Sequence, residues 1–307
     1  MLRSLFAGIS GLRVNQTMLD VTGNNIANAN TTGFKSSTTV FQDTLSQMLT
    51  AGAASTATKG GTNPIQIGLG VQVAATAGNF TQGANQTTGR GTDMMINGDG
   101  FFILGSGDVA PGGPAPTLTY TRAGAFSWDS QGNLVAPDGK FVMGYAVTGY
   151  TYATDPATGA TTSTPTYDTT QLVNLKQVST VAAQPGPGNA SLTAYEIGSD
   201  GTITGTYDDG VRRVMGQVAL ATFTNPQGLN KVGDTQFQVA ANSGEARVST
   251  PGQDGLGNLT VGSIEMSNVD LAQEFTNLIL AQRGFEASSK VITTSDQVLE
   301  TLVNIKR

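Results

Sequence analysis

The chain has 307 residues, of which 38% are hydrophobic and only 12% charged, with 40 glycines, no cysteine, no histidine and a formal net charge of −6. An acidic balance without a Lys/Arg cluster to release phosphate counterions argues against nucleic acid as a partner. The missing Cys and His remove disulfides, thiolate nucleophiles, Cys/His zinc sites and the usual proton-transfer group near neutral pH, so no cofactor or metal is expected and carboxylates are left as the catalytic repertoire.

The length is enough for one or two domains with a real core. The charged fraction is about half the roughly 25% of typical soluble domains, and Thr, Asn, Gln and Ser supply the polarity instead. Such a surface suits packing against copies of itself, because few charges are desolvated at each contact. No stretch approaches the roughly 18–20 apolar residues of a membrane span, so membrane insertion is not expected. Met1–Ser10 has no apolar run of signal-peptide length, so standard secretory export is not expected either.

Residues 3–29 read as a helix. Leu5, Leu12, Leu19 and Ile26 recur every seven residues as one column of a coiled-coil seam, with Gly8, Asn15, Thr22 and Ala29 as a small, polar column beside it. The Asn30–Gly33 segment stops the helix, with Gly33 able to take positive φ. The following Thr/Gly-rich stretch, 31–73, reads as an extended linker.

Residues 74–264 are punctuated by Gly, Asp-Gly and Pro, and read as short strands joined by turns. Phe101–Leu104 follows the Asn97-Gly98-Asp99-Gly100 turn. Phe126–Trp128 breaks at Asp129–Asn133 and resumes at Leu134-Val135. Asp-Gly signals recur at Asp200-Gly201 and Asp209-Gly210, and Val214–Phe223 alternates as a half-buried strand. This pattern predicts a sandwich or barrel. The segment 149–189, poor in apolar residues, reads as an irregular surface excursion.

Residues 267–305 read as a second long helix. Leu271, Leu278, Phe285, Ile292 and Leu299 form its period-seven column, with Ala281, Ser288 and Ser295 alongside. Ser267 as N-cap and Asp270 three residues later suggest a capping box, with Met266 stapling against Leu271. Thr293–Asp296 is a weak point that could cap a second, shorter helix from Gln297. The expected fold is therefore α+β and multi-domain. Residues 1–30 and 265–307 pair as a discontinuous coiled-coil core domain, and 74–264 form a mainly antiparallel β domain. The apolar columns are too thin to hold isolated helices, so the termini are expected to pair with each other and with neighbouring subunits.

Other candidate sites are weak. Gly68-Leu69-Gly70 lacks the third glycine and the following helix of a dinucleotide loop. Asp129–Asn133 begins like a calcium loop, but Lys140 occupies the position that needs a bidentate glutamate, so a hairpin turn is the better reading. Asp93, Asp99, Asp108 and Asp138 sit in turns, and nothing favours a glycosidase-type carboxylate pair among them. Trp128 alternates in a strand and reads as core. Tyr145, Tyr150, Tyr152 and Tyr167 are candidates for exposed partner contacts, though more of them are expected to be packed than exposed.

One signature stands out. Asn24-Asn25-Ile26-Ala27-Asn28-Ala29-Asn30-Thr31-Thr32-Gly33-Phe34-Lys35 resembles the signature of bacterial flagellar rod and hook proteins. Ser267-Asn268-Val269-Asp270-Leu271, continuing through Ala281-Gln282-Arg283 to Asp296-Gln297, resembles that family's other block. Gly98–Phe102 and Tyr120–Phe126 also match. Within the family, Gly201–Tyr207, Met215–Phe223 and the ending Leu302–Ile305 look more like a hook protein, in a short form lacking most of the outer inserted domain. Distal rod protein is the alternative.

The resemblance implies a structural subunit, exported by the flagellar type III apparatus, that polymerises with itself into a hollow tube acting as a universal joint. It implies contacts with distal rod, hook–filament junction and hook cap proteins. The location would be the extracellular hook, or the periplasmic basal body for a rod protein. A β-rich phage-tail or adhesin-type binding module, and a carboxylate glycosidase, are the readings from other classes.

Overall fold

The computed structural model describes residues 2–56, 58–107, 117–154, 161–168, 171–182 and 189–305. The chain divides into two compact units. The first comprises Met1–Ala29, Ser36–Asn79 and Val269–Arg307, and the second Asn30–Lys35 and Phe80–Asn268.

The first unit is built on two helices, α1 (Leu2–Ala27) and α2 (Leu271–Ile305). At about 1.5 Å per residue α2 is about 52 Å long. It starts one turn later than a Ser267 cap would place it. Asp270 is the N-cap, its Oδ1 accepting from the amides of Ala272 at 2.9 Å and Gln273 at 3.4 Å, which satisfies donors that have no partner inside the helix. The helix runs unbroken through Thr293–Asp296. There the Thr293 and Thr294 hydroxyls donate to the Lys290 carbonyl instead of capping a new helix, a back-bonding that helices accommodate.

Of the stretch 31–73, expected as a linker, residues 37–73 fold largely into strands of the same unit. β1 (Ser37–Asp43) and β4 (Val71–Gly78) pair antiparallel, as do β2 (Ser46–Thr50) and β3 (Ile65–Gly68). Bridges Ala53↔Thr62 and Thr56↔Lys59 extend the second ribbon. The alternation in Ile65-Gln66-Ile67 and Val71-Gln72-Val73 is a strand signal that the surrounding Thr and Gly diluted. Every residue of β2 and β3 is exposed.

The second unit contains the core. Its strands begin with β5 (Asn85–Thr87), β6 (Met94–Asn97), β7 (Phe101–Ser106), β8 (Thr117–Thr121), β9 (Ser127–Trp128), β10 (Leu134–Val135), β11 (Phe141–Thr154) and β12 (Thr161–Tyr167). One antiparallel path joins Thr180–Ala182, Asn189–Ile197, Thr202–Tyr207, Arg212–Val218, β11, β7, β8, Gln236–Gln238 and Asn230–Gly233 in that order. The path is linear with side branches, so among the described residues the sheet is not closed into a barrel.

Both faces of β7 are buried. Phe102 and Leu104 enter one apolar cluster with Phe126, Val142 and Leu220. Phe101 and Ile103 enter another with Tyr120, Met143 and Phe223. That explains why Phe101–Leu104 reads as a continuous apolar run and not as an alternating strand.

The segment 149–189, expected to be irregular, carries strands where it is described: a hairpin to Tyr167, then short strands at Val173–Asn174 and Thr180–Ala182. β11 continues to Thr154 and pairs with β12 from Val147↔Tyr167 to Thr154↔Thr161. Thr and Tyr are enriched in strands, so low apolar content did not mean irregularity. Residues 155–160, 169–170 and 183–188 of that segment, like Asp108, lie outside the described residues.

The single-residue expectations resolve similarly. Trp128 packs edge-on against Tyr195, its ring centroid 5.5 Å away, at the margin of the first cluster. Tyr145 is buried, Tyr150 donates its hydroxyl to the Val214 carbonyl, and Tyr167 packs on the second cluster. The Tyr152 side chain is outside the described set. Both Asp129 oxygens are occupied by hairpin donors, the Gln131 and Asn133 amides and Asn133 Nδ2. These bonds, the one from the Asn133 side chain foremost, hold the Asp129 carboxyl below its usual range. The loop is a turn whose aspartate is already engaged.

Candidate assembly surface

In the first unit the helices run antiparallel, and a line of small and polar residues marks their contact. Ser4 Oγ lies 3.3 Å from Ser295 Oγ. A Cβ placed on Gly8 would sit 3.0 Å from Ile292 Cγ1, one on Gly11 2.9 Å from Ser288 Oγ, and one on Gly284 2.6 Å from Asn15 Oδ1. Ala281 and Thr22 are buried. Near the end of the line, Asn25 Nδ2 donates to Glu274 Oε1 at 3.2 Å and to the Ser37 carbonyl at 2.8 Å, and Asn25 Oδ1 accepts the Ser37 amide at 3.0 Å. Asn25 therefore ties α1 both to α2 and to the start of β1. Burial pushes the Glu274 carboxyl up from its ordinary value, partly opposed by the Asn25 hydrogen bond.

The columns of large side chains flank this line. Leu5, Leu12, Leu19 and Ile26 on α1, with Leu278, Ile292 and Leu299 on α2, are half-buried. Leu271 and Phe285 are 44% and 39% exposed. Close helix approach through Gly, Ser and Ala thus occupies the centre of the contact, and the larger residues are displaced to its sides.

Many other apolar side chains face outward. Phe6, Ile9, Phe275, Ile279, Leu280, Val298, Leu302 and Ile305 are all exposed, as are Val40, Leu49, Ile65 and Ile67 of the strands and Leu45 between β1 and β2. Of the large hydrophobic residues exposed among the described residues, all but Val178, Val232 and Val239 lie in the first unit. Both buried apolar clusters lie in the second. So many exposed apolar side chains gathered on one unit mark an interaction site.

The rest of the signature has a separate role inside the second unit. Gly33 has φ +67°, and a Cβ there would fall 2.3 Å from the Ala123 amide nitrogen. Its own amide donates to the Glu265 carbonyl at 2.8 Å. Phe34 and Lys35 are buried next to it. Lys35 Nζ donates to Glu265 Oε1 at 2.6 Å and to the Thr81 carbonyl at 2.7 Å. Arg122 Nη1 reaches Glu265 Oε2 at 3.5 Å, with its guanidinium over the Phe101 ring. The Gly83 amide completes the carboxylate's partners at 2.8 Å. Burial pushes both Lys35 and Arg122 below their usual values, and Glu265 pulls both back up.

Asn268 Nδ2 donates to the Thr81 hydroxyl at 3.1 Å, and Ser267 is buried nearby in sequence. Asn24 and Asn28 form a local pair at the end of α1, with Asn28 Nδ2 donating to the Asn24 carbonyl at 2.9 Å. Glu265 went unnoticed in the sequence. A lone glutamate in a strand carries no local signal of the cations it will meet.

A chain with a packed β unit, and a terminal unit that turns its apolar side chains outward, defines the class of structural assembly subunits. Comparison with known proteins gives the family. The flagellar basal body rod protein model matches residues 5–35, the FlgE/F/G hook protein D1 domain 95–205, and the FlgEFG rod protein C-terminal model 260–305. The Bacillus subtilis flagellar basal-body rod protein FlgG is 42% identical over 308 residues, covering all of both chains. In Borreliella burgdorferi, the rod protein FlgG is 33% identical over 309 residues and the hook protein FlgE 32% over 449, again with both chains fully covered. The chain belongs to the flagellar rod and hook protein family, a structural family of the bacterial flagellum whose subunits assemble along its axis.

Proposed function

We propose that this chain polymerises through its first unit into a hollow helical tube, and that the tube is the flagellar hook, which transmits torque from rod to filament. The outward apolar side chains of α1, α2 and β1 to β3 carry the reading. They leave the unit with little apolar interior of its own, and neighbouring copies would enlarge it. The role is structural and not enzymatic. Export through the flagellar type III apparatus and contacts with distal rod, hook–filament junction and hook cap proteins follow from that position.

Bending requires outer contacts to lengthen and shorten as the tube turns. Thr, Asn, Gln and Gly surfaces can slide without breaking strong ion pairs, which suits the sparse charge of this chain. The segments Gly201–Tyr207 and Met215–Phe223 support the hook. The distal rod is the second reading, favoured by the 42% identity and equal aligned length of a relative named as a rod protein. Phe275→Asp combined with Ile279→Asp should abolish polymerisation of the purified chain while the β unit stays folded. Normal assembly of that variant would refute the reading. Electron microscopy of the tubes separates the placements: curved tubes fit the hook, and uniformly straight ones the rod.

A further inference from the structure

We propose that a basic-rimmed apolar groove on α1 receives the acidic outer face of α2 from a second copy of the chain. The inference rests on the assembly reading above and specifies which surfaces of the first unit meet. The groove, of about 700 Å³, is floored by Phe6, Ile9, Leu69 and Val71 and bears Arg3 and Arg13. Phe6 is 66% exposed and Ile9 40%. Both arginines are exposed, and among the described residues no carboxylate comes within ion-pair range of either.

The α2 face that fits it lies towards the C-terminal end. Asp296 and Glu300 are one turn apart and therefore share a side of the helix. Phe285 and Val303 lie on the same side, at helical spacing from both. Val303 is 66% exposed, Phe285 is 39% exposed, and neither carboxylate has an ion-pair partner among the described residues. Arg283 and Lys290, the cations of α2 among the described residues, fall roughly 100° round the helix at about 3.6 residues per turn. Of the other outward sides, Leu280, Val291, Val298 and Leu302 have no carboxylate beside them, and the Phe275–Ile279 side carries Glu286, which already pairs with Arg283. Sign and apolar content therefore both select the Asp296–Glu300 side. Charge pairing at the rim fixes register while burial of the apolar side chains supplies most of the affinity. A second copy is the occupant because the required surface, acidic and apolar together, is present on this chain and left uncovered.

The test is a charge-reversal cycle on the full-length chain, read as the critical concentration for polymerisation in a sedimentation assay. Arg3→Glu with Arg13→Glu should raise that concentration by about tenfold or more, as should Asp296→Arg with Glu300→Arg. All four substitutions together should return it to near the wild-type value. Neutral Arg3→Gln with Arg13→Gln should give a smaller rise in the same direction, with the helical circular-dichroism signal of the monomer unchanged. Reversals that polymerise like the wild type overturn the proposal, as does a quadruple variant as defective as either pair. If Phe275→Asp with Ile279→Asp blocks assembly while the reversals do not, the groove pairing alone fails. If that variant assembles normally, the assembly reading fails with it.

Discussion

Lys35, Arg122 and Glu265 place two cations on one carboxylate inside the second unit, and all three side chains are almost fully buried. Desolvating three ions is costly, and the arrangement persists because the Gly83 amide and Thr81 carbonyl supply further partners. Glu265→Gln keeps the shape but strands two buried cations. It should lower the unfolding free energy of the second unit by about 3–5 kcal/mol, measured by urea denaturation.

Glu274 makes a pH-dependent contribution. Burial raises its pKa above the ordinary 4.5, so its neutral form is favoured in the folded helix pair. The stability it contributes is fully present below about pH 4.5 and is lost as pH rises through the raised value. The helical signal of the monomer should therefore melt at a higher temperature near pH 4.5 than near neutrality. In Glu274→Gln, which retains an acceptor for Asn25, the part of that difference due to this carboxyl should vanish.

Among the elements, α1 and α2 approach closely because Gly8, Gly11 and Gly284 lack side chains where the partner helix bears Ile292, Ser288 and Asn15. Gly284→Leu would drive a side chain into Asn15 and push the helices apart. The expected cost is about 1–3 kcal/mol, visible as reduced helical signal in the monomer, with the β unit's melting unchanged. Gly8, Ser288 and Ser295 were visible in the small-residue columns while Gly11 and Gly284 were not, and the antiparallel contact shows what those columns do. The capping residue was misplaced for a related reason. Ser267 and Asp270 both suit an N-cap, and only the position of the first helical turn distinguishes them. The strands of 37–78 were missed because Thr and Gly surround their short alternating runs.

For the whole molecule, the division of apolar residues sets the expected behaviour. The second unit owns both buried clusters, so it should be protected from hydrogen exchange in monomer and polymer alike. The first unit exposes its large side chains, so its amides, in α1 and α2 above all, should exchange rapidly in the monomer. They should become protected on polymerisation. Slow exchange of both helices in the monomer would instead indicate a closed module.

The sequence by itself determined that both ends are helical, that each carries a thin period-seven stripe beside a small-residue column, and that the middle is β. These are local periodicities, set by neighbours within a few residues. The family signature was also legible as a string, from Asn24 to Lys35. Only the tertiary structure decided which column lies at the helix contact, and that Lys35 meets a glutamate 230 residues away. It alone decided that one signature splits between two units, Asn25 holding the helices and Lys35 the β core. Periodicity states which side of an element is apolar but not what that side will face, because the partners come from distant parts of the chain. On the proposed reading, the partners for much of the first unit are neighbouring copies of the chain.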